Sequence, residues 1–250
     1  MANRVENIKP YGNEGTKAEQ VERMFDSIAP AYDFMNRAMT LGIDKWWRRV
    51  AIKRVARHVP TQSRLLDIAT GTGDFALQLV KQVHPLHVTG IDLSNGMLAV
   101  AQKKAATRTW ATGHISFQQG DCLHLPMNDN TFHAVTVAFG VRNFEQLDKG
   151  YCEMLRVLQP GGMVCVLELS TPRNRVIRWF YDLYTLHIIP WAGSMRSGDH
   201  DAYRYLPQSI AAVPQGDNML GIMRRAGFAQ CAARRLTLGT CTIYTGIKPA

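Results

Sequence analysis

Two acidic residues flank a glycine-rich loop in the first half of the chain. The segment Gly71-Thr72-Gly73 opens a G-x-G-x-x-A pattern, with Asp67 four residues ahead of it and Asp92 19 residues after Gly73. In dinucleotide-binding folds, such glycines let the backbone of a strand-to-helix turn approach a ligand, and an acid at this distance binds a ribose hydroxyl. The pattern therefore predicts a site for a ligand that carries an adenosine ribose.

The acidic residues favour one of two cofactors with this ribose, NAD and S-adenosylmethionine. Asp67 lies within the strand that enters the loop, where it could organise the loop or meet an ammonium group, whereas it would repel a pyrophosphate. Asp121 follows the third strand and is placed to accept a hydrogen bond from an adenine amine, with Cys122 along the ring. Each acid alone could be a cap, a turn residue or the start of a loop, but ligands of open α/β sheets bind at the carboxyl ends of strands. We therefore expect S-adenosylmethionine. The residues predicted to bind it are Asp67, Gly71, Thr72, Gly73, Asp92, Asp121 and Cys122.

The elements that must position these residues alternate along the chain. Nearly continuous apolar runs, separated by helical stretches, indicate parallel strands that are covered on both faces. The runs lie at 64–70, 87–93, 115–121, 133–140 and 163–169. Strands at 229–236 and 240–248 follow, and because only three residues separate them they must pair as an antiparallel hairpin. The predicted fold is α/β: a Rossmann-like, doubly wound, mostly parallel seven-stranded sheet with a C-terminal antiparallel hairpin, plus N-terminal helices.

The predicted domain organisation places a cap before the sheet. Residues 1–16 are polar and are expected to form a loose leader, and helices over 17–58 are interrupted near Gly42. We expect a leader and helical cap (1–58), followed by one compact cofactor-binding domain (59–250).

Composition limits the classes of function. The formal charge of +9 and the pI near 9.5 suit an anionic partner, either nucleic acid or an acidic membrane surface. Six cations lie in one run, "KWWRRVAIKRVARH" (45–58), which could equally be a solvated helix face. The N-terminus lacks an apolar signal sequence, and no run reaches the roughly 18 apolar residues that span a membrane, so we expect a cytoplasmic protein. The five cysteines form no C-x-x-C pair, so we expect reduced thiols and no metal site.

Several longer motifs carry a resemblance to one family. They are "VERMFDSIAPAYDFMNRAMTLGIDKWWRR" (21–49), "LLDIATGTGD" (65–74), "FGVRNF" (139–144), "EMLRVLQPGG" (153–162), "LELSTP" (167–172) and "YRYLPQSI" (203–210). Over about residues 20–248 the chain resembles the ubiquinone/menaquinone biosynthesis C-methyltransferases, which are class I S-adenosylmethionine-dependent methyltransferases. The leader "IKPYGNEG" is most similar to the menaquinone branch. Ala69 departs from the general methyltransferase pattern, because it occupies the first glycine position of the loop.

The resemblance implies methylation of a ring carbon of demethylmenaquinol, giving menaquinol. The carbon becomes nucleophilic as the neighbouring hydroxyl loses its proton, so the developing phenolate needs a fixed positive charge or donor. We expect Arg142 to stabilise this charge or position a water, with Asn143 beside it, since guanidinium stays protonated and cannot be the base. His187 and Tyr205 are candidates for the base, and His187 could equally be a packed histidine. The aromatic run 179–193 could form a lid over the isoprenoid tail or be an ordinary core helix.

Partners and location follow from the same resemblance. A prenylated quinol is the expected substrate, and Phe25, Tyr32 and Met35 could close the other side of its site. Contact between the basic run and the inner face of a membrane is a further hypothesis, and the oligomeric state is left open. The alternatives are a ubiquinone-pathway benzoquinol methyltransferase or a dual-specificity enzyme, a nucleic-acid methyltransferase, an NAD-dependent oxidoreductase and a non-catalytic lipid-binding module. "FGVRNF" stands where amino-directed nucleic-acid enzymes carry Asn/Asp-Pro-Pro-aromatic, so nucleic acid is not expected as a partner.

Overall fold

The computed structural model describes residues 3–12, 14–184 and 200–250, and the side chains of 200–203 are not described. The strands are β1 (Arg64–Ile68), β2 (His87–Asp92), β3 (Ile115–Gln119), β4 (Phe132–Ala138), β5 (Leu158–Leu169), β6 (Ala229–Leu236) and β7 (Cys241–Ile247). The α-helices are α1 (Lys17–Ile28), α2 (Tyr32–Met39), α3 (Asp44–Ala56), α4 (Asp74–Val83), α5 (Asn95–Ala106), α6 (Leu147–Val157), α7 (Arg175–Leu183), α8 (His200–Ala212) and α9 (Asp217–Arg225). Short 3₁₀ turns lie at Arg4–Asn7, Thr109–Ala111, Val141–Asn143 and Thr237–Gly239.

The strands form one sheet in the order β3-β2-β1-β4-β5-β7-β6. The first five run parallel, and β7 pairs antiparallel with both β5 and β6. The predicted fold class, including the C-terminal hairpin, is confirmed. Because the order of the strands reverses between β1 and β4, their carboxyl ends form the crevice in which sheets of this kind bind ligands.

Side chains of successive strand residues enter two different cores, one on each face of the sheet. Leu65 and Ala134 pack in the core that contains α3 and α4, whereas Leu66, Ile68 and Val135 pack in the core that contains α6 and α9. This alternation follows from the two-residue period of a strand, and the double burial explains why the strands read as continuous apolar runs.

Local sequence signals set the ends of several helices. The hydroxyl of Ser94 accepts a hydrogen bond from the Met97 amide at 3.0 Å, which caps α5. Gly42 adopts a positive φ of 75° in the turn between α2 and α3. The fifth strand begins earlier than predicted, at Leu158, because residues ahead of the P-G-G turn already pair with β4. None of the helices in the described ranges is long and apolar enough to cross a membrane.

The leader is packed rather than loose over the residues described, contrary to expectation. Val5 in the first 3₁₀ turn is fully buried in the core that contains α6. Glu6 accepts a hydrogen bond from the Leu147 amide at 2.8 Å. The helix α3 also lies before the boundary proposed at residue 58, and it packs in the same core as α4; the division of the chain at this point stays a prediction.

Candidate active site

A cavity of about 750 Å³, here called the first cavity, lies at the carboxyl ends of β1, β2 and β4. Side chains of α1 and the ring of Tyr32 form the wall that faces the strand ends. Of the residues predicted to bind the cofactor, those that line the cavity are Gly71, Asp92, Asp121 and Cys122. The other three, Asp67, Thr72 and Gly73, lie behind the loop.

Asp67 organises the glycine loop from inside the protein. Its carboxylate is buried and accepts hydrogen bonds from the hydroxyls of Thr70, at 2.7 Å, and Thr136, at 2.6 Å. Burial raises the pKa of Asp67 to about 6, and the two hydroxyls and Arg48 oppose this shift. Of the two roles left open by the sequence, the geometry favours organisation of the loop over contact with an ammonium group.

Thr72 also faces away from the first cavity. Its hydroxyl donates to Asp33 at the start of α2, at 2.6 Å, and accepts from Lys104 of α5 at 3.0 Å. Lys104 forms ion pairs with Asp33 and with Asp74 at the start of α4. The threonine therefore connects the loop to the cap helix α2.

The loop backbone is held in left-handed conformations. Gly71 and Gly73 have φ angles of 55° and 77°. A Cβ atom at Gly73 would lie 2.9 Å from both the Ala101 methyl and the Phe117 ring, so only glycine fits. Ala69 has a φ of 51°, which costs an alanine about 1–2 kcal/mol. Such strain concentrates at ligand-binding sites, and Ala69 lines the first cavity.

Asp92 connects the loop to the end of β2 and presents its carboxylate to the first cavity. One oxygen accepts from the Gly71 amide at 2.7 Å, and the other accepts from the Ser94 amide at 3.0 Å. Burial raises the pKa of Asp92, and the nearby Asp26 adds to the rise, whereas the backbone amides lower it.

Asp121 and Cys122 form the part of the wall that follows β3. One oxygen of Asp121 accepts from the Leu123 amide at 2.9 Å, and the carboxylate is still partly exposed. Burial, together with Asp121, raises the pKa of the Cys122 thiol, so the thiol stays protonated and offers an apolar surface. An acceptor beside a flat apolar wall suits an adenine ring and its amine.

The cap helices cover the first cavity, with two of the three residues that were expected to close the substrate's site. Phe25 and Tyr32 line it, with ring centroids 5.9 Å apart in an edge-to-face arrangement. Asp26 accepts from the Ser94 hydroxyl at 2.6 Å and from the Gly96 amide at 2.9 Å, at the N-terminus of α5. The cap residue Ser94 and its partner in α1 lie 68 residues apart in the sequence.

Arg142 is buried in the turn after β4 and is paired with an acid that the sequence analysis did not single out. Its Nη1 donates to Glu168 Oε1 at 2.9 Å and to the carbonyl of Phe139, and its amide donates to Glu168 Oε2 at 3.3 Å. Although burial by itself lowers the pKa of Arg142, Glu168 raises it, and the net shift is upward. Arg142 Nε is buried and has no hydrogen-bond partner among the residues described.

Lys17 holds the same turn from the cap. Its buried Nζ donates to the carbonyls of Arg142 at 2.9 Å, Phe144 at 3.2 Å and Val5 at 2.8 Å. Burial lowers the pKa of Lys17 to about 8; Arg142 adds to the shift, and Glu6 opposes it. The sequence offered one signal, because a cation in the first turn of a helix opposes the helix dipole and so needs a specific partner.

The structure brings Asn143 and Tyr205 together beside Arg142. Asn143 lines the first cavity, and its Oδ1 accepts from the Tyr205 hydroxyl at 3.1 Å. Burial raises the pKa of Tyr205, an effect that Arg142 opposes. A phenol in this setting donates a hydrogen bond more readily than it acts as a base. His187 lies outside the described residues.

Two further cavities continue from the first along the cap. The second, of about 490 Å³, shares Phe25 and Tyr32 with the first cavity and is also lined by Met35, Arg142 and Tyr205. The third cavity, of about 910 Å³, is mostly apolar and shares Arg142 with the second. From the aromatic run 179–193, Tyr181 and Tyr184 line this third cavity, and residues 185–193 lie outside the described part. Arg142 thus lines both the second and the third cavity, and its neighbour Asn143 lines the first.

Comparison of the sequence with protein families and curated proteins agrees with this arrangement. The ubiE/COQ5 methyltransferase family matches residues 13–248. The demethylmenaquinone methyltransferase of Bacteroides fragilis is 48% identical over 243 residues, which cover 97% of this chain and 98% of that protein. The ubiquinone/menaquinone biosynthesis C-methyltransferase UbiE of Geobacter sulfurreducens is 42% identical over 233 residues, or 93% and 90% of the two chains.

Solved structures share the fold at low sequence identity. Phosphoethanolamine N-methyltransferase 2 of Haemonchus contortus, in complex with phosphomonomethylethanolamine and S-adenosylhomocysteine, has a TM-score of 0.65 and 18% identity, over 90% of this chain and 58% of that one. The [4+2]-cyclase SpnF has a TM-score of 0.61 and 19% identity, over 93% and 96%. Because an N-methyltransferase and a cyclase share this fold, the fold alone does not specify the reaction.

Proposed function

Because the chain belongs to the ubiE/COQ5 methyltransferase family, we propose that it transfers a methyl group from S-adenosylmethionine to a ring carbon of demethylmenaquinol. The product is menaquinol, and the reaction is a step of menaquinone biosynthesis. The observation that supports this most is the position of Arg142, which has an unpaired buried Nε, lines the second and third cavities, and is followed by Asn143 in the wall of the first.

The first cavity fits S-adenosylmethionine. Its wall combines the strained glycine loop, a carboxylate at Asp92 that can accept from a ribose hydroxyl, and the partly exposed carboxylate of Asp121 beside the flat surface of Cys122. Asp67, Thr72 and Gly73 keep the loop in shape rather than contact the cofactor. When bound, S-adenosylmethionine supplies an electrophilic methyl group on a positively charged sulfur.

Arg142 is assigned to stabilise the negative charge that develops on the quinol oxygen. Glu168 and the Phe139 carbonyl occupy Nη1, whereas Nε keeps a free N–H in a buried, weakly screened setting. Glu168 holds the guanidinium in place from a position where it is 1% exposed. A donor that is fixed before the charge appears is more effective than a mobile one, because no reorganisation accompanies the reaction.

Asn143 and Tyr205 are assigned to orient the quinol ring. The Tyr205 hydroxyl bridges from α8 to the Asn143 amide at the edge of the first cavity. Because burial raises the pKa of Tyr205, its phenol is suited to donate a hydrogen bond, and we do not assign it the role of base. His187 stays a prediction for that role.

The apolar tail of the quinol is assigned to the third cavity. That cavity offers space of about 910 Å³ lined by residues such as Met39, Trp47 and Leu206. A long isoprenoid chain is insoluble in water, so we also propose that the substrate reaches the chain from a membrane.

Methyl transfer to two quinols tests the proposal. Purified protein is incubated with labelled S-adenosylmethionine and either short-tailed demethylmenaquinol or a short-tailed benzoquinol of the ubiquinone pathway, under reducing conditions, and the products are identified by mass spectrometry. We expect menaquinol as the main product. In a parallel reaction without reductant we expect little transfer, because the ring carbon of the oxidised quinone is not nucleophilic. Faster methylation of the benzoquinol would place the chain in the ubiquinone pathway, and no transfer to either quinol would refute the proposal.

A further inference from the structure

The helix α7 exposes an apolar stripe to solvent. Four side chains recur at positions i, i+3, i+4 and i+7 and therefore share one face of the helix: Val176, Trp179, Phe180 and Leu183. They are between 44% and 66% exposed. Tyr181, on another face of the same helix, lines the third cavity. A stripe of this size on a surface helix marks a site of interaction, since single exposed apolar residues are common but contiguous patches are not.

Arg175 is exposed near the edge of the stripe, and further arginines lie towards the other side of α7 with little compensation from acids. An open polar hollow beside α7 is lined by Arg4, Arg173, Arg178 and Arg235. No acidic residue of the described part lines this hollow. Arg178 has one acidic neighbour on its own helix, Asp182, at 3.6 Å, and both of these side chains are well exposed. The surface around α7 is therefore positively charged, which suits an anionic partner.

Two exposed leucines stand near the third cavity on neighbouring turns. Leu41 lines the cavity and is 77% exposed with a φ of 51°, and Leu238 is 73% exposed with a φ of 57°. The end of α7 meets the first of these turns, because the Tyr184 hydroxyl donates to the Met39 carbonyl at 3.1 Å. Thr237, next to Leu238, also lines the cavity. A leucine held at positive φ without packing is costly, so both leucines point to a partner that covers them.

We propose that this face, formed by the stripe of α7, the arginines of the same helix, Leu41 and Leu238, docks on an anionic phospholipid leaflet. The inference rests on the proposed function, because it makes the third cavity the entrance for a quinol tail that comes directly from the bilayer. An amphipathic helix with tryptophan and phenylalanine on its apolar face and arginines beside it lies in the plane of a membrane surface. The docking face thus centres on α7, whereas Arg48 in the basic run 45–58 is buried in ion pairs with Asp44 and Asp74.

Binding to vesicles, followed by co-sedimentation, tests the docking face. The vesicles contain either phosphatidylcholine alone or equal parts of phosphatidylcholine and phosphatidylglycerol. We expect the unaltered protein to bind the mixed vesicles and to be released by high salt. The double variant Trp179→Ser/Phe180→Ser should bind the mixed vesicles at least roughly tenfold more weakly, because two aromatic side chains no longer enter the interface. The variant Arg175→Gln/Arg178→Gln should lose about fivefold for each charge.

Matched controls separate α7 from other exposed positions. Trp110→Ser removes an exposed tryptophan from the 3₁₀ turn Thr109–Ala111, and Lys53→Gln/Arg54→Gln removes two exposed cations from α3. Both should bind the mixed vesicles like the unaltered protein. Equal loss in the α3 variant, equal binding to phosphatidylcholine alone, or unchanged binding of the α7 variants would overturn the proposal. The proposal would also be overturned if Trp179→Ser/Phe180→Ser had half the mass of the unaltered protein in solution and still bound vesicles normally. The stripe would then join two copies of the chain.

A second assay distinguishes failure of this inference from failure of the proposed function. Each variant is tested with a short-tailed, water-soluble demethylmenaquinol in the absence of vesicles. All should methylate it at the rate of the unaltered protein, because the altered side chains do not line the first or second cavity. Absence of this activity in the unaltered protein would refute the proposed function, whereas the vesicle result alone decides the docking face.

Discussion

Replacing Arg142 and Glu168, singly and together, separates the catalytic role proposed for the arginine from its contribution to the fold. In Arg142→Met the Glu168 carboxylate, 1% exposed, loses its only cationic partner within salt-bridge distance among the described residues and keeps two amide donors, from residues 142 and 169. Breaking a buried ion pair by removing one partner costs about 3–5 kcal/mol, because the remaining charge is uncompensated. Arg142→Met should therefore lower the free energy of unfolding by about this amount.

The double variant Arg142→Met/Glu168→Gln removes the uncompensated charge and keeps one of the two side-chain oxygens that accept from backbone amides. We expect it to recover most of the lost stability, measured by urea denaturation. Its methyl transfer should nevertheless stay about 10²–10³-fold slow, which is the effect of losing one fixed donor to a developing oxyanion. Single-turnover rates, measured with both substrates saturating, exclude differences in binding. Arg142→Lys should transfer the methyl group faster than Arg142→Met, because it keeps a positive charge. It should be slower than the unaltered protein, because a point charge does not reproduce the guanidinium geometry.

Two results would refute this reasoning. A double variant that transfers the methyl group at nearly the normal rate would show that Arg142 only balances the charge of Glu168. A double variant as unstable as Arg142→Met would show that the two charges are not coupled, and that the lost side-chain packing accounts for the change.

Two buried groups, Asp67 and Lys17, should make the stability of the protein depend on pH in opposite directions. The pKa of Asp67 is raised from 3.8 to about 6, so its stabilising contribution is complete below pH 3.8 and is lost as the pH rises through 6. Relative to Asp67→Asn, the unaltered protein should lose about 2 kcal/mol between pH 4 and 7, as measured by urea denaturation, and a constant difference would contradict the shift. The pKa of Lys17 is lowered from 10.5 to about 8, so its contribution is complete above pH 10.5 and is lost as the pH falls through 8. Relative to Lys17→Met, the unaltered protein should gain about 3 kcal/mol between pH 8 and 10.5, and a flat difference would indicate a solvated ammonium.

The sequence by itself determined the sheet and predicted where the cofactor site would lie. Nearly continuous apolar runs, separated by helical stretches, predicted the parallel strands, and the three-residue gap at 237–239 required the antiparallel hairpin. The glycine pattern with Asp92 and Asp121 predicted a ligand at the carboxyl ends of β1, β2 and β3, and residues that follow each of these strands line the first cavity. These features are readable because periodicity, turn length and helix capping depend on residues within a few positions of one another.

Only the tertiary structure decided which polar groups meet and which surfaces stay open. It turned Asp67 towards Thr70 and Thr136, paired Arg142 with Glu168, and placed Lys17 against the turn that carries Arg142. Arg142 and Glu168 lie 26 positions apart in the sequence, and Lys17 and Arg142 lie 125 positions apart. The exposed stripe of α7 likewise depends on which surfaces the fold leaves uncovered. Partners at such distances are selected by the packing of whole elements against one another, and no local pattern of residue types encodes that packing.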